Sequence, residues 1–307
     1  MNTPMPQNEQ YKQGILFAFA AYIMWGIAPL YFKALAGVDA VDILLHRVVW
    51  SFVFILFLIV GITGFSKLKQ LFKEPKKLGI LAITSIIIAF NWLLFIWAVN
   101  NDHMLDASLG YYINPLLNVV LGTLFLGERL RKLQWVAVLI AFVAVMVEII
   151  SFGAVPWISL ALASSFGIYG LLRKKISIDA ISGLFVETLF LLPFALVYIF
   201  IIDAHSLELL TSNWQMTVLI LSAGIVTTLP LLAFAAAAIR IPLSTLGFIQ
   251  YIGPSLMLAL AVFLYDEPFA IEKAFTFALI WGALIVYTFD GARNNLKNRK
   301  AAKSLKE

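Results

Sequence analysis

His46, Arg47 and Glu187 are ionisable side chains set inside long apolar runs, residues 41–63 and 181–201. An Arg, Lys or Asp at the centre of a bilayer costs about 2.5–3.5 kcal/mol on the insertion scale, and such groups usually face a cavity or a partner. Arg47 has a second option, because its long stem lets the guanidinium reach back to the headgroups. Glu187 is shorter. The chemistry expected of it is contact with a ligand, carriage of a proton, or a bond that fixes its helix.

Uncharged polar groups form a second set: Asn91, Asn114, Asn118 and Gln250, with Tyr111, Tyr112, Tyr251, Trp92 and Trp97. Asn114 and Asn118 are one helical turn apart and share a face. Asn114 directly precedes Pro115, whose missing N–H frees a carbonyl in the preceding turn. Inside a membrane that is tolerated where the freed group lines a polar cavity or finds a neighbour. Two readings therefore stand for each of these residues, cavity lining and interhelical bonding, the latter worth about 0.6 kcal/mol on average. Around the two tyrosine–proline elements described below, lining is the expected role. His46, Asn91, Tyr111, Asn114, Asn118, Glu187, Gln250 and Tyr251 are the expected pathway residues. Arg47, Pro115, Glu128, Pro254 and Glu267 are the expected gating or structural ones. Glu128 has Arg129, Arg131 and Lys132 as prospective partners, and Glu267 has Lys273.

Enzyme chemistry has little to work with. Asp102-His103-Met104-Leu105-Asp106 puts two carboxylates on one helix face, a spacing that could hold Mg²⁺ through a diphosphate. An intramembrane transferase of that kind needs a second acidic motif, and the sequence has none. H-E-x-x-H, Walker and G-x-S-x-G patterns are absent as well. Cysteine is absent, which excludes thiolate metal sites. No metal and no cofactor is expected. A channel would typically show a repeated pore loop or a charged ring, and neither is visible.

The elements that position these residues are membrane spans. Of 307 residues, 62% are hydrophobic and 13% charged, about half the charge of a soluble domain. Mean hydropathy is +0.94. A spanning helix needs roughly 20 apolar residues. Ten windows qualify, at 14–36, 41–63, 78–99, 107–126, 133–150, 156–172, 181–201, 214–238, 243–264 and 272–290. The sixth is the shortest. Residues 64–77 and 202–213 read as loops, and 1–13 and 291–307 as polar, disordered tails. Asp39, Asp42, Asp106 and Ser244 stand where side-chain caps would begin helices.

The net charge of +5 is unevenly distributed. Of the 22 Lys and Arg residues, 19 fall in the two tails and alternate loops. Lys33 and Lys273 fall on the opposite side, and Arg47 lies within a span. Positive charge stays cytoplasmic, so both termini are expected inside, with an even number of spans. The excess orients the chain in a membrane, and no nucleic-acid partner is expected.

The chain also repeats. Tyr112-Ile113-Asn114-Pro115 is echoed by Tyr251-Ile252-Gly253-Pro254, and Glu128 and Glu267 follow each proline at the same distance. Gly26-Ile27 and Lys33 match Gly167-Ile168 and Lys174, with Trp25 against Phe166. Carried onward, that register sets His46 against Glu187. Five spans per unit is an odd number, so the copies must be inverted, a plan of secondary transporters. The units expected are 14–150 and 156–290, between tails 1–13 and 291–307.

These residues carry a resemblance. Trp25-Gly26-Ile27-Ala28-Pro29, His46-Arg47-Val48-Val49-Trp50-Ser51, the segment Asn91–Asn100, Ala107–Tyr111, Gly127-Glu128-Arg129 and Leu246–Pro254 resemble the drug/metabolite transporter superfamily. The match is to EamA-type units, and specifically to the RarD branch. The resemblance covers essentially the whole chain. It implies an all-α polytopic permease of ten transmembrane helices in the inner membrane, with a central cavity. The branch is associated by name with chloramphenicol sensitivity. The function expected is secondary transport of a small metabolite or drug-like molecule by alternating access, in the export direction. The alternatives are a channel or an intramembrane transferase. Expected partners are membrane lipids and the substrate, and a homodimer is left open. On this reading Glu187→Gln folds normally but loses most transport or changes its pH dependence.

Overall fold

The computed structural model describes residues 7–35, 37–100, 103–153, 156–202, 204–211, 213–264 and 271–304. Those residues are helical, without strands. The helices are α1 (Gln7–Ala34), α2 (Ala40–Leu58), α3 (Ser66–Leu71), α4 (Pro75–Asn100), α5 (Met104–Leu126) and α6 (Lys132–Phe152). They continue as α7 (Trp157–Ile176), α8 (Ala180–Val197), α9 (Trp214–Ala238), α10 (Leu243–Gln250), α11 (Ile252–Leu264) and α12 (Ile271–Ser304). Nine stretches among the described residues are long and apolar enough to cross a membrane, α10 and α11 counting together as one. Helix α7 has 20 residues but falls short of the others in apolar content, since it ends in Arg173-Lys174-Lys175.

Polar and apolar groups are distributed inside out. Phe57, Ile62, Leu124, Phe194 and Ile201 are exposed, whereas Thr84, Ser85, Asn114, Asn118, Thr227 and Gln250 are buried. In water that would be a defect. In lipid every polar group must find its partner inside the protein, and the apolar exterior is the solvated one. The chain is a multi-pass membrane protein.

Helix ends follow local chemistry. Asp39 accepts a bond from the Val41 amide (2.7 Å) and opens α2, and Asp179 accepts one from Ser182 N–H (3.1 Å) and opens α8. Gly127 ends α5 in the left-handed region at φ 65°, which reverses the chain so that Glu128 folds back.

Several expectations need correction. The N-terminal tail is helical from Gln7, and α12 runs to Ser304. Gln, Glu, Lys and Ala are good helix formers, and extending an existing helix is far easier than nucleating one. The expected loops contain α3 and a 3₁₀ helix, Ala204–Leu210. The ninth window is broken at Tyr251, because Pro254 has no N–H for the Gln250 carbonyl. Ser244 is not a cap; Pro242 holds that position in α10.

Packing runs mainly between the first six helices and the last six. Helix α1 packs on α9 and α11, and α7 on α4 and α5. Helix α2 packs on α8 and α9, with α8 also on α4. Further extensive pairs are α5 with α10 and α6 with α12. Close approach is built in where α2 crosses α9: a Cβ at Gly224 would collide with the Trp50 backbone.

Candidate functional site

A cavity of about 150 Å³ lies where α1, α2, α4, α5, α7, α10 and α11 converge. Its walls are mainly aromatic: Tyr22, Trp25 and Phe32 from α1, Trp92 and Phe95 from α4, Tyr111 from α5 and Phe166 from α7. Pro254 and Met257 of α11 contribute apolar surface. Arg47, Asn91, Asn114 and Gln250 are the remaining long polar side chains of the lining.

The amides are wired to one another. Asn114 Nδ2 donates to Ala163 O (2.7 Å), and Asn118 Nδ2 donates to Asn114 Oδ1 (3.0 Å) and Gln250 Oε1 (3.3 Å). Tyr22 Oη also donates to Gln250 Oε1 (3.4 Å). Asn91 Nδ2 donates to Leu162 O (3.0 Å) and Ser165 Oγ (2.8 Å). The two roles weighed for these residues therefore coincide. Asn91, Asn114 and Gln250 line the cavity and join helices. Asn118 lies behind them and only joins.

Arg47 is buried and does not snorkel. Its Nε donates to Thr227 Oγ1 at 2.8 Å, and its guanidinium carbon lies 4.9 Å from the Trp92 ring centre and 5.5 Å from that of Phe32. Among the described residues no carboxylate pairs with it.

Glu187 is placed off the cavity lining. Its carboxylate accepts from Thr84 Oγ1 (2.6 Å) and Tyr169 Oη (3.2 Å), and Arg173 Nη1 lies 3.7 Å away. Arg173, expected as a loop charge, is buried: it reaches inward beside Gly183, where any side chain would collide with it. His46 also lies off the lining, with Nε2 3.0 Å from Ser206 O. Tyr251 turns away from the cavity and donates to Tyr112 O (3.3 Å).

Register between spans two and seven needs correcting. Asp39-Ala40 opens α2 as Asp179-Ala180 opens α8, and counting from those caps sets Arg47, not His46, against Glu187. The stretch from Gly167 to Asp179 is one residue shorter than that from Gly26 to Asp39, so the register of the first span does not carry through.

Glu128 does not pair with the neighbouring basic residues. Its oxygens accept from Leu243 N (2.6 Å), Ser244 N (3.0 Å) and Ser244 Oγ (2.7 Å), capping α10 across the molecule. Pro115 sits inside an unbroken α5. Glu267 and Asp102 lie outside the described residues.

The pattern of the EamA-like transporter family matches residues 12–149. An uncharacterized transporter of Vibrio cholerae is 54% identical over 297 residues, 96% of this chain and 98% of that one. Protein RarD of Escherichia coli is 51% identical over 293 residues, 95% and 99% of the two chains. The chain belongs to the EamA-like transporter family, in its RarD branch. It is a membrane transporter. The RarD branch extends to the chloramphenicol-sensitive protein RarD of Pseudomonas aeruginosa, 33% identical over 92% of this chain and 95% of that one. A solved crystal structure with 20% identity superposes at a TM-score of 0.66, covering 90% of this EamA-type chain and 97% of its own, and shares the fold.

Sequence reasoning passed over Phe32, Thr227 and Arg173. Phe32 and Thr227 are ordinary apolar-span residues until the fold brings Arg47 between them. Trp25 and Phe166 were paired by the repeat, and their rings meet at 5.6 Å in the cavity wall.

Proposed function

We propose that this EamA-type protein is a secondary transporter that exports a small metabolite or drug-like molecule through ten helices arranged as two inverted five-helix units, 14–150 and 156–290. The observation that carries this reading is the exchange symmetry of the packing. Swapping the units turns α1 on α9 into α7 on α4, α2 on α9 into α8 on α4, and α5 on α7 into α11 on α1, all of which occur. The self-paired contacts, α2 with α8, α5 with α10 and α6 with α12, occur too. Residues near a two-fold axis meet their own counterparts, as Trp25 meets Phe166 and Tyr251 meets Tyr112. A unit with five spans makes that axis lie in the membrane plane, so opposite openings of one cavity become equivalent states.

Both termini are cytoplasmic on this reading, with the chain in the inner membrane. Substrate passes Arg47, Asn91, Tyr111, Asn114, Gln250 and Pro254. Glu187, His46, Asn118, Tyr251 and Glu128 hold the helices that move. A drug-like substrate suits the aromatic walls and the chloramphenicol sensitivity named for the Pseudomonas relative.

A single cysteine at Asn114, in this cysteine-free chain, is expected to react with an impermeant thiol reagent from either side of sealed membranes. Trans-side substrate is expected to accelerate uptake into proteoliposomes. Flux without such counterflow, with reaction from both sides at once, means a channel and defeats the reading.

A further inference from the structure

The cavity specifies more than a small molecule. Arg47 is a buried cation with no carboxylate partner among the described residues, and it belongs to the cavity wall. Two rings, Trp92 and Phe32, lie close to its guanidinium, and Thr227 takes its Nε–H. The terminal nitrogens bond to nothing else among the described residues. That leaves the end-on fork of Nη1 and Nη2, the geometry that matches two oxygens of one anionic group. Keeping an intramembrane guanidinium in this state is costly unless a ligand completes it.

The rest of the lining narrows the class. It contains no Asp or Glu, so an ammonium group would find no counter-charge. The carbonyl oxygen of Gln250 and the amide nitrogens of Asn91 and Asn114 are already committed to protein partners. Trp25, Phe95 and Phe166 add flat apolar surface to the same wall. At about 150 Å³ the cavity is of a size that holds a single ring.

We propose that the transported molecule is an organic monoanion whose carboxylate or sulfonate docks end-on against Arg47 while a flat apolar body lies among the aromatic walls, and that zwitterions and cations are rejected. This rests on the transport reading for its physiological sense, but the binding claim stands or falls by itself.

The test uses the full-length protein in detergent and three ring probes of nearly equal size: benzenesulfonate, benzenesulfonamide and trimethylanilinium. Quenching of the fluorescence of Trp25 and Trp92, both in the wall, reports binding. Wild type is expected to bind the sulfonate at least about tenfold more tightly than the amide and the cation least. Arg47→Gln is expected to remove the preference for the sulfonate over the amide. Arg47→Lys keeps the charge without the fork and is expected to fall between. The wild-type ranking needs no variant, so a misfolded mutant does not weaken the test. Equal binding of the three probes, tighter binding of the cation, or no sulfonate binding overturns the proposal. Sulfonate flux in proteoliposomes separates the two claims. Selective binding with flux no faster than in protein-free vesicles would sink the transport reading and leave the anion site standing.

Discussion

Arg47 and Glu187 occupy matching places in α2 and α8, and their surroundings differ in one decisive respect. Each bonds to a threonine of the other half, Arg47 to Thr227 of α9 and Glu187 to Thr84 of α4. Each also touches its own half, Arg47 through Phe32 of α1 and Glu187 through Tyr169 and Arg173 of α7. Glu187 is closed off by an opposite charge, whereas Arg47 faces a cavity without one. The matching position thus holds a charge paired with Arg173 in one half and, in the other, a charge that lines the cavity without a carboxylate partner among the described residues. A buried charge that the protein neutralises holds helices together; one it leaves open is available to a ligand.

The largest effect expected from this contrast is on stability. Removing one partner of a buried ion pair costs roughly 3–5 kcal/mol, because the other is left uncompensated. Arg173→Met is expected to destabilise the protein by that order in detergent unfolding, and Glu187→Gln to cost less because it keeps one of the two acceptor oxygens that Thr84 and Tyr169 use. The double variant is expected to recover much of the Arg173→Met loss. Arg47→Met, by contrast, is expected to stay within about 1 kcal/mol of wild type, since it removes a charge with no ionic partner. Strictly additive single losses at Arg173 and Glu187 would mean the pair is not coupled. Glu187→Gln transport that loses its pH dependence at wild-type stability would return Glu187 to the proton-carrying role.

A smaller effect separates the two tyrosine–proline elements. Pro115 leaves α5 continuous, while Pro254 follows a break that leaves α10 a short helix whose buried first-turn amides need an acceptor. Glu128 satisfies that turn with three bonds. Glu128→Ala strands the Leu243 and Ser244 amides and is expected to cost about 2 kcal/mol, with faster amide exchange in α10 and little change in α5. Glu128→Gln keeps one acceptor and is expected to lose about half as much. Equal exchange in both helices would show that α10 is held by packing alone.

What the sequence discloses depends on how far the deciding partner lies. Span positions follow from runs of apolar residues, and cap chemistry at Asp39 and Asp179 is local, so both are readable. The polar group at Asn91, Tyr111, Asn114 and Gln250 is readable because polar side chains in apolar runs must be satisfied somewhere. Arg173 was not: beside Lys174 and Lys175 it looks like one more loop charge, and only the fold brings Glu187 within reach. Lys174 misleads in the same way, since its ammonium turns to the Ala238 and Ile241 carbonyls at the end of α9. The break at Tyr251 was half legible. Both repeats carry the proline, yet only the second helix separates there, with Tyr251 N–H bonding three residues back to Phe248 O at 3.3 Å.

The smallest difference expected lies between the caps that open α2 and α8. Among the described residues the Asp39 side chain holds only the Val41 amide, while that of Asp179 accepts from the amide and hydroxyl of Ser182 and from Lys67 (3.2 Å). Partial burial pushes the Asp179 carboxyl up, but the Ser182 bonds and the Lys67 charge outweigh it and hold the group below the usual aspartate value. A lowered folded value makes the ionised carboxylate a source of stability that is fully present above the unfolded value, about pH 3.9. That contribution is lost as pH falls from there through the lower folded value. Asp179→Asn keeps a capping oxygen and removes the charge. It is expected to cost about 0.5–1 kcal/mol near neutral pH, with the deficit vanishing in acid as wild type loses the same interaction. The check is the difference in unfolding midpoint between wild type and variant, followed from about pH 6 downward through the unfolded aspartate value. A deficit that stays constant over that interval would mean that the charge is not what Asp179 contributes.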